Sequence, residues 1–254
     1  MSTISAPFTE GNSLVHRLDP RFRLLAAAVL TLPAAVLHDL KAALAALLVG
    51  FLLVLLARLS TGRVIRRVLA VNAFILFLWL FIPFSMPGDQ ILALGPLSAT
   101  RQGVDLALLL TVKSNAILLS LMALLGTIAV QDLGPAMQRL GVPGKLCHIL
   151  LFTYRYIFVI HQEYMTMRQA MQARGFHPRT NRHTYRSYAW LLGMLLVRSW
   201  DRAERVHGAM RCRGFRGRFY TLTRFAAPLG DYVFLAATLL LSATIICLEI
   251  MRIQ

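Results

Sequence analysis

Long runs of apolar residues are the feature that most constrains the fold of this chain. They cover residues 24–37, 42–57, 68–86, 103–130 and 229–250. A helix needs about 20 mostly apolar residues to cross the hydrocarbon core of a bilayer, and a helix also satisfies its own backbone polar groups there. Only 15% of the residues are charged, whereas soluble domains carry about 25%. The sequence therefore predicts an all-α, polytopic membrane protein.

The distribution of arginine predicts how the chain is oriented. The chain has 27 Lys and Arg against 11 Asp and Glu, a formal net charge of +16. Between the second and third apolar runs, the segment Arg58–Arg67 holds four arginines and no acid. Cytoplasmic loops of membrane proteins carry such an excess. We expect this loop and, by alternation, the amino terminus with Arg17, Arg21 and Arg23 to be cytoplasmic, in a multi-pass protein of the cell (inner) membrane.

The second half of the chain is basic but less clearly membrane-spanning. Residues 87–101 have turn residues and little charge, which predicts an outside loop, and residues 131–145 predict a short amphipathic helix at the inner surface. Residues 146–162 are apolar but contain Tyr154, Arg155 and His161. Residues 163–225 contain 13 arginines, no lysine and 3 acids, which favours the cytoplasm. We therefore predict one long helix from 146 to about 174 and five spans in total; if 146–162 crosses, there are six.

This pattern divides the chain into three predicted segments. Residues 1–145 hold transmembrane helices 1–4 and the inner-surface loop. Residues 146–225 are mainly cytoplasmic, and 226–254 form the C-terminal transmembrane helix. The basic charge does not predict nucleic-acid binding, because the sequence has neither an aromatic RNA-binding signature nor zinc-finger spacing.

Two short motifs in the basic segment match each other. Gln172-Ala173-Arg174-Gly175-Phe176 recurs loosely as Arg211-Cys212-Arg213-Gly214-Phe215. Each follows a run of helix formers, and a glycine there is a helix stop signal, so Arg174 and Arg213 should lie in the last turns of two helices. A guanidinium binds a carboxylate through two parallel hydrogen bonds, which predicts an acidic partner surface. The alternative is a capping glycine with an arginine that suits the helix dipole, repeated by chance.

Together with three other stretches, this pair resembles the transmembrane (T) component of energy-coupling factor (ECF) ABC transporters. The opening residues His16-Arg17-Leu18-Asp19-Pro20-Arg21 are similar to that family's first motif. Residues 126–143 resemble its stretch after the fourth span, and residues 155–176 resemble its first coupling helix. The wider opening from Glu10 to Pro20 is most similar to the cobalt/nickel, CbiQ-like branch. Cys212 departs from the family's pattern, which has alanine there, but is also small.

The resemblance implies a non-catalytic subunit with several partners. It would transmit ATP-driven motion of two cytoplasmic, CbiO-like ATPase subunits to a separate, CbiM-like substrate-binding membrane subunit, possibly joined by a small CbiN-like subunit, for uptake of Co²⁺ or Ni²⁺. The ATPase-coupling residues would be Ala173, Arg174, Gly175, Cys212, Arg213 and Gly214. ATP would be used by the partners, and this chain would bind no cofactor. A T component for a vitamin and a secondary transporter acting alone are the alternatives.

Residue types that carry chemistry are otherwise scattered. No Walker A motif is present, since Gly141-Val142-Pro143-Gly144-Lys145-Leu146 lacks the spacing that wraps phosphates. The seven histidines show no HExxH motif, so we expect no metal site in this chain. A membrane enzyme would need clustered acids or histidines, and the acids are dispersed. Asn72, Lys113 and Asn115 lie in predicted spans, where they predict interhelical hydrogen bonds, contact with the substrate subunit, or a transport pathway.

Overall fold

Each apolar run of the sequence forms a helix in the computed structural model, which describes residues 13–85, 89–94, 97–217 and 228–253. The predicted all-α architecture is confirmed, apart from one small β-hairpin. Parts of three predictions lie outside the described residues: Glu10–Asn12 of the opening motif, residue 87 at the start of the predicted outside loop, and residues 218–227 at the boundary of the last two predicted segments.

The described elements are α1 (Leu14–Arg17), α2 (Pro20–Val36), α3 (Leu40–Leu56), α4 (Thr61–Ser85), β1 (Gln90–Leu94), β2 (Leu97–Thr100), α5 (Arg101–Leu124), α6 (Val130–Arg139), α7 (Gly144–Ala173), α8 (Arg182–Cys212) and α9 (Leu229–Ile253).

Helix α4 begins at Thr61 rather than at residue 68. The prediction of a loop over Arg58–Arg67 is therefore wrong for residues 61–67, which are helical. The Ser60 carbonyl accepts hydrogen bonds from the backbone N–H groups of Arg63 and Val64, at 3.0 and 3.2 Å, and starts the helix. Arg66 and Arg67 follow on its exposed surface. Arginine is a good helix former, and its charge can stay in water while the helix enters the apolar phase. Only residues 57–60 link α3 to α4.

The predicted outside loop contains the hairpin, which was not expected. β1 and β2 pair antiparallel, with Gln90 opposite Thr100 and Leu94 opposite Leu97. In the sequence, Gly95-Pro96 separates the two strands. A Gly-Pro pair between two short, mostly apolar runs is a turn signal that could have predicted the hairpin. Thr100 then caps α5, because its hydroxyl accepts a hydrogen bond from the N–H of Gly103 at 3.3 Å.

Among the described helices, three are long and apolar enough to cross a membrane: α4, α5 and α9. Helix α3 is apolar but has only 17 residues, and α2 has the same length. At 1.5 Å per residue, 17 residues reach about 25 Å, slightly less than a bilayer core of about 30 Å. The count of five spans therefore stays a prediction. The long helix predicted from residue 146 is confirmed as α7 and is not among the three candidate spans.

The chain divides into two compact units, Met1–Ala136 with Arg224–Gln254, and Met137–Thr223. In the first unit, α5 packs against α2, α3 and α4, and α9 packs against α2 and α3. Small residues lie where α3 and α5 pack against each other. A Cβ atom on Gly50 of α3 would lie only 3.0 Å from the carbonyl oxygen of Ala116 and 3.1 Å from the Ser120 hydroxyl. Small residues of this kind let apolar helices approach closely, since van der Waals packing drives helix association in a membrane.

The polar residues of the predicted spans form hydrogen bonds within the first unit. The side-chain amides of Asn72 on α4 and Asn115 on α5 bind each other, and the Lys113 ammonium donates to the Leu37 carbonyl at the end of α2, at 2.7 Å. That carbonyl has no partner inside its own helix. The prediction of interhelical hydrogen bonds is confirmed for these three side chains.

Candidate functional site

The second unit is built from α7 and α8, which are joined by residues 174–181. Glu163 on α7 connects the two helices, because its carboxylate accepts hydrogen bonds from the guanidinium groups of Arg198 and of Arg202, the latter at 3.4 Å. These groups are partly exposed to solvent. Exposed ion pairs contribute about 1 kcal/mol or less. The Glu163 ion pairs therefore join α7 to α8 but add little to the stability of the unit.

Helix α7 ends at the first Arg-Gly motif in a Schellman arrangement. Gly175 has a φ angle of +79°, a left-handed conformation that favours glycine. Its N–H donates to the Gln172 carbonyl at 2.9 Å, and the N–H of Phe176 reaches back to the Met171 carbonyl at 3.1 Å. Arg174 is the last residue before the turn, and its side chain is exposed. The predicted helix stop is confirmed.

Helix α8 ends in the same way at the second motif. Gly214 also has a φ angle of +79°. Its N–H donates to the Arg211 carbonyl at 3.0 Å, and the N–H of Phe215 donates to the Met210 carbonyl at 3.1 Å. Arg213 is exposed, as Arg174 is. Both helix ends therefore present an arginine between a small residue and a glycine, in the same backbone conformation.

The structure extends the repeat in the amino-terminal direction. Ala170-Met171 stands before the first motif and Ala209-Met210 before the second, so that both copies read Ala-Met-x-small-Arg-Gly-Phe. Sequence reasoning missed these two positions, although their equal spacing from the glycine was readable. The alanine and methionine carbonyls both accept the N–H of the arginine, and the methionine carbonyl also closes the turn.

An apolar groove lies beside each helix end. One, of about 470 Å³, is lined by Met171 and Arg174 of the first motif together with Trp190 and Met194 of α8. The other, of about 460 Å³, is lined by Met210 next to the second motif and by aromatic and aliphatic residues of α7 that include Tyr156. Large apolar side chains on α8 are exposed nearby, with Trp190 at 66% and Trp200 at 69%. Exposed apolar patches with a charged rim are typical of protein interaction surfaces.

The phenylalanine of the first motif packs against α8. The ring of Phe176 packs edge-on against Tyr188, with ring centroids 5.8 Å apart, and lies near His183. Both partners belong to the first turns of α8, whose start is capped by the Asn181 carboxamide accepting from the N–H of Thr184 at 2.8 Å. The first motif, at the end of α7, is therefore held against α8.

Candidate metal ligands do not cluster in the part of the chain that the structure describes. No three His, Cys, Asp or Glu side chains come close enough there to hold a metal ion. The three cysteines, Cys147, Cys212 and Cys247, are free thiols. Where a metal cargo would be bound therefore stays a prediction for another subunit.

Comparison with known proteins decides the family. A sequence model of the CbiQ family, described as "Cobalt transport protein", matches residues 11–222. The chain belongs to the CbiQ family. This CbiQ family member is 30% identical over 158 residues to "Cobalt transport protein CbiQ" of Rhodobacter capsulatus, covering 61% of this chain and 64% of the relative. It is 25% identical over 220 residues to "Energy-coupling factor transporter transmembrane protein EcfT" of Thermosediminibacter oceani, covering 83% of each chain.

A third relative joins two names in one chain. The "Putative fused cobalt transport protein CbiMQ" of Methanocorpusculum labreanum is 28% identical over 118 residues, or 46% of this chain and 20% of the relative. The matches to these two cobalt-transport relatives span less than two thirds of their length. The resemblance to the T component of ECF transporters is confirmed, and the relatives are named as transporter components. The docking role of Arg174, Arg213 and their neighbours stays a prediction.

Proposed function

We propose that this chain couples two ATPase subunits to a substrate-binding membrane subunit. Arg174 and Arg213, each flanked by a small residue and a glycine, dock one ATPase subunit apiece. ATP is bound and hydrolysed by those partners, and their closure moves α7 and α8. This motion is transmitted to a CbiM-like subunit that holds the cargo, with a small CbiN-like subunit as a further member. The amino terminus is cytoplasmic, on the same side as the ATPases.

The observation that carries this proposal is the repeated helix end. Two copies of one partner offer the same notch twice, and a single chain fits both only if it presents the same groups twice. The backbone around Arg174 and Arg213 agrees to within a few degrees, with φ and ψ of −86° and 15° at the first and −88° and 11° at the second. A guanidinium in a notch with carboxylates forms short, charge-assisted hydrogen bonds, and the adjoining glycine lets the partner approach the backbone.

The two apolar grooves favour a protein partner that contacts more than the arginine side chains. Each groove continues from a motif methionine, and methionine repacks at low cost against different surfaces. An arginine at the rim of an apolar groove orients the bound partner, while the groove supplies the apolar area that is buried on binding. We expect the ATPase to cover both.

The cargo we propose is Co²⁺ or Ni²⁺. The matching family is described as cobalt transport protein, and the fused relative carries the CbiM and CbiQ names in one chain, which supports a CbiM-like partner. A T component for a vitamin is the alternative, because the relatives named EcfT, whose match covers more of this chain, carry no cargo in their names. Uptake of labelled cobalt by cells that express the complex, with and without this chain, distinguishes the two.

The coupling proposal is tested with the double variant Arg174→Glu, Arg213→Glu in the assembled complex. Reversing a charge that faces buried carboxylates costs at least the roughly 2–5 kcal/mol that truncating one partner of a buried charge pair costs. We expect the tagged variant to reach the membrane at the normal level but to lose the ATPase subunits on purification, and uptake to stop.

A matched control separates the motif from the general basic charge. Arg168 on α7 and Arg205 on α8 are exposed arginines outside the motifs, and the pair Arg168→Glu, Arg205→Glu changes the net charge equally. This control should retain the ATPases. Retention of both ATPases by the motif variant, or equal loss in the two variants, would show that Arg174 and Arg213 are not the docking residues.

A further inference from the structure

A third groove lies in the first unit, where it is lined by α1 and the end of α3. Its volume is about 500 Å³. Leucines from both helices form its apolar wall, and two arginines, Arg17 and Arg58, lie at its polar side. The leucines are Leu14, Leu52, Leu55 and Leu56, and all four are exposed.

Arg58 has an unusual backbone conformation for a residue with a side chain. Arg58 has a φ angle of +47°, the left-handed region in which a glycine would be unstrained. Its N–H donates to the Leu55 carbonyl at 3.0 Å and ends α3. Backbone preference alone selects glycine or asparagine here. A left-handed arginine is uncommon, which makes Arg58 a candidate for a functional side chain.

The groove lies at the basic end of an apolar helix. Helix α3 is apolar to its last residue, Leu56, and the chain then continues through Arg58 to Arg63, Arg66 and Arg67 at the start of α4, a candidate membrane span. Basic residues at such a junction lie at the headgroup level of the inner leaflet, whose anionic lipids attract them.

We propose that this groove binds one anionic phospholipid. Its phosphate lies between the guanidinium groups of Arg17 and Arg58, which donate hydrogen bonds to its oxygens. One acyl chain lies along the leucine wall. This inference concerns the first unit alone and does not depend on the docking role of Arg174 and Arg213.

The combination of two cations with an apolar wall selects this occupant. A free phosphate would satisfy the arginines but leave the leucines exposed to water. An apolar peptide would cover the leucines but would desolvate the guanidinium groups and bring no negative charge of its own, which is costly. A zwitterionic lipid would bring a cationic group to a site that is already positive. An anionic phospholipid satisfies both parts at once.

Native mass spectrometry of the full chain in detergent, titrated with phosphatidylglycerol, tests the proposal. We expect a first phosphatidylglycerol adduct that binds more tightly than a phosphatidylcholine adduct and no adduct with glycerol 3-phosphate, which lacks acyl chains. In Arg17→Gln, Arg58→Gln, affinity should fall by about fivefold for each arginine. Arg168→Gln, at an exposed position in the second unit, is the matched control and should bind as the unaltered chain does.

Arg58→Gly separates the side chain from the fold. Glycine suits the left-handed backbone at least as well as arginine does, so this variant should fold and unfold at the same temperature or higher, yet bind phosphatidylglycerol about fivefold more weakly. Arg17→Lys, Arg58→Lys should keep most of the affinity, because it keeps both charges. Equal affinity for the two lipids, binding of glycerol 3-phosphate alone, or unchanged phosphatidylglycerol binding in Arg58→Gly would overturn the proposal.

Discussion

Arg23 binds Thr127 inside the first unit, 104 residues further along the chain. The Nη1 atom of Arg23 donates to the Thr127 carbonyl at 3.0 Å and also lies 3.2 Å from the threonine hydroxyl oxygen. Arg23 is only 5% exposed. This contact fixes the turn that follows α5, from which α6 leads along the chain toward α7.

Removing the Arg23 side chain should destabilise the protein. Arg23→Ala leaves the buried carbonyl of Thr127 without this donor and opens a cavity, and an unsatisfied buried polar group costs about 1–3 kcal/mol. We expect a lower unfolding temperature of the detergent-solubilised chain, measured by circular dichroism. Arg66→Ala, at an exposed position on α4, is the control and should unfold as the unaltered chain does. Equal unfolding temperatures for all three would mean that the contact contributes nothing.

The pair of Asn72 and Asn115 predicts a non-additive result. Their carboxamides exchange two hydrogen bonds, at 3.2 and 2.9 Å, between α4 and α5. Asn72→Leu should destabilise the protein because it leaves the Asn115 carboxamide with only its bond to the Thr111 carbonyl, whereas the double variant Asn72→Leu, Asn115→Leu should recover part of the loss. A coupling energy of roughly 0.6–1.7 kcal/mol is expected from intramembrane pairs. A double-mutant cycle on thermal unfolding measures it, and additive single effects would contradict a direct interaction.

Close backbone packing at Gly103 predicts that even one added methyl group destabilises the protein. A Cβ atom there would lie 2.8 Å from the Pro83 Cα atom and 2.9 Å from the Ile82 carbonyl oxygen, so α4 would have to move. Gly103→Ala should lower the free energy of unfolding by about 1–3 kcal/mol. Gly193→Ala is the opposite case, since that helical glycine has open space around it, and it should stabilise α8 by about 1 kcal/mol. Thermal unfolding of both variants checks the difference in sign.

The left-handed glycines of the two motifs predict a defect in assembly that involves no charge. Gly175→Ala together with Gly214→Ala forces an L-residue into a φ angle of +79° at both helix ends, at about 1–2 kcal/mol each. The turns should loosen, the arginines should be presented less uniformly, and fewer ATPase subunits should co-purify. Gly208→Ala, in the interior of α8 with nothing within 4 Å, should have no such effect. If it reduced co-purification equally, helix strain at the motifs would not be the cause.

Local signals in the sequence predicted much of the candidate site. Glycine marks the end of α7 and of α8 because its backbone freedom is a property of one residue, and both helix stops were predicted to the residue. The agreement of the two ends in φ and ψ could not be predicted, because it depends on the hydrogen bonds that Met171 and Met210 make three residues earlier. The grooves beside them need the pairing of α7 with α8, which no local pattern encodes.

The sequence by itself determined that this chain is helical, apolar and bound to a membrane, since hydropathy and helix propensity act over neighbouring residues. It also predicted both ends of α3, α7 and α9 to within three residues. The tertiary structure alone decided where α4 begins, that Asn72 meets Asn115, that Arg23 reaches Thr127, and that Arg17 and Arg58 line one groove. These contacts join residues from separate helices, and their energies depend on distance in space rather than on distance along the chain.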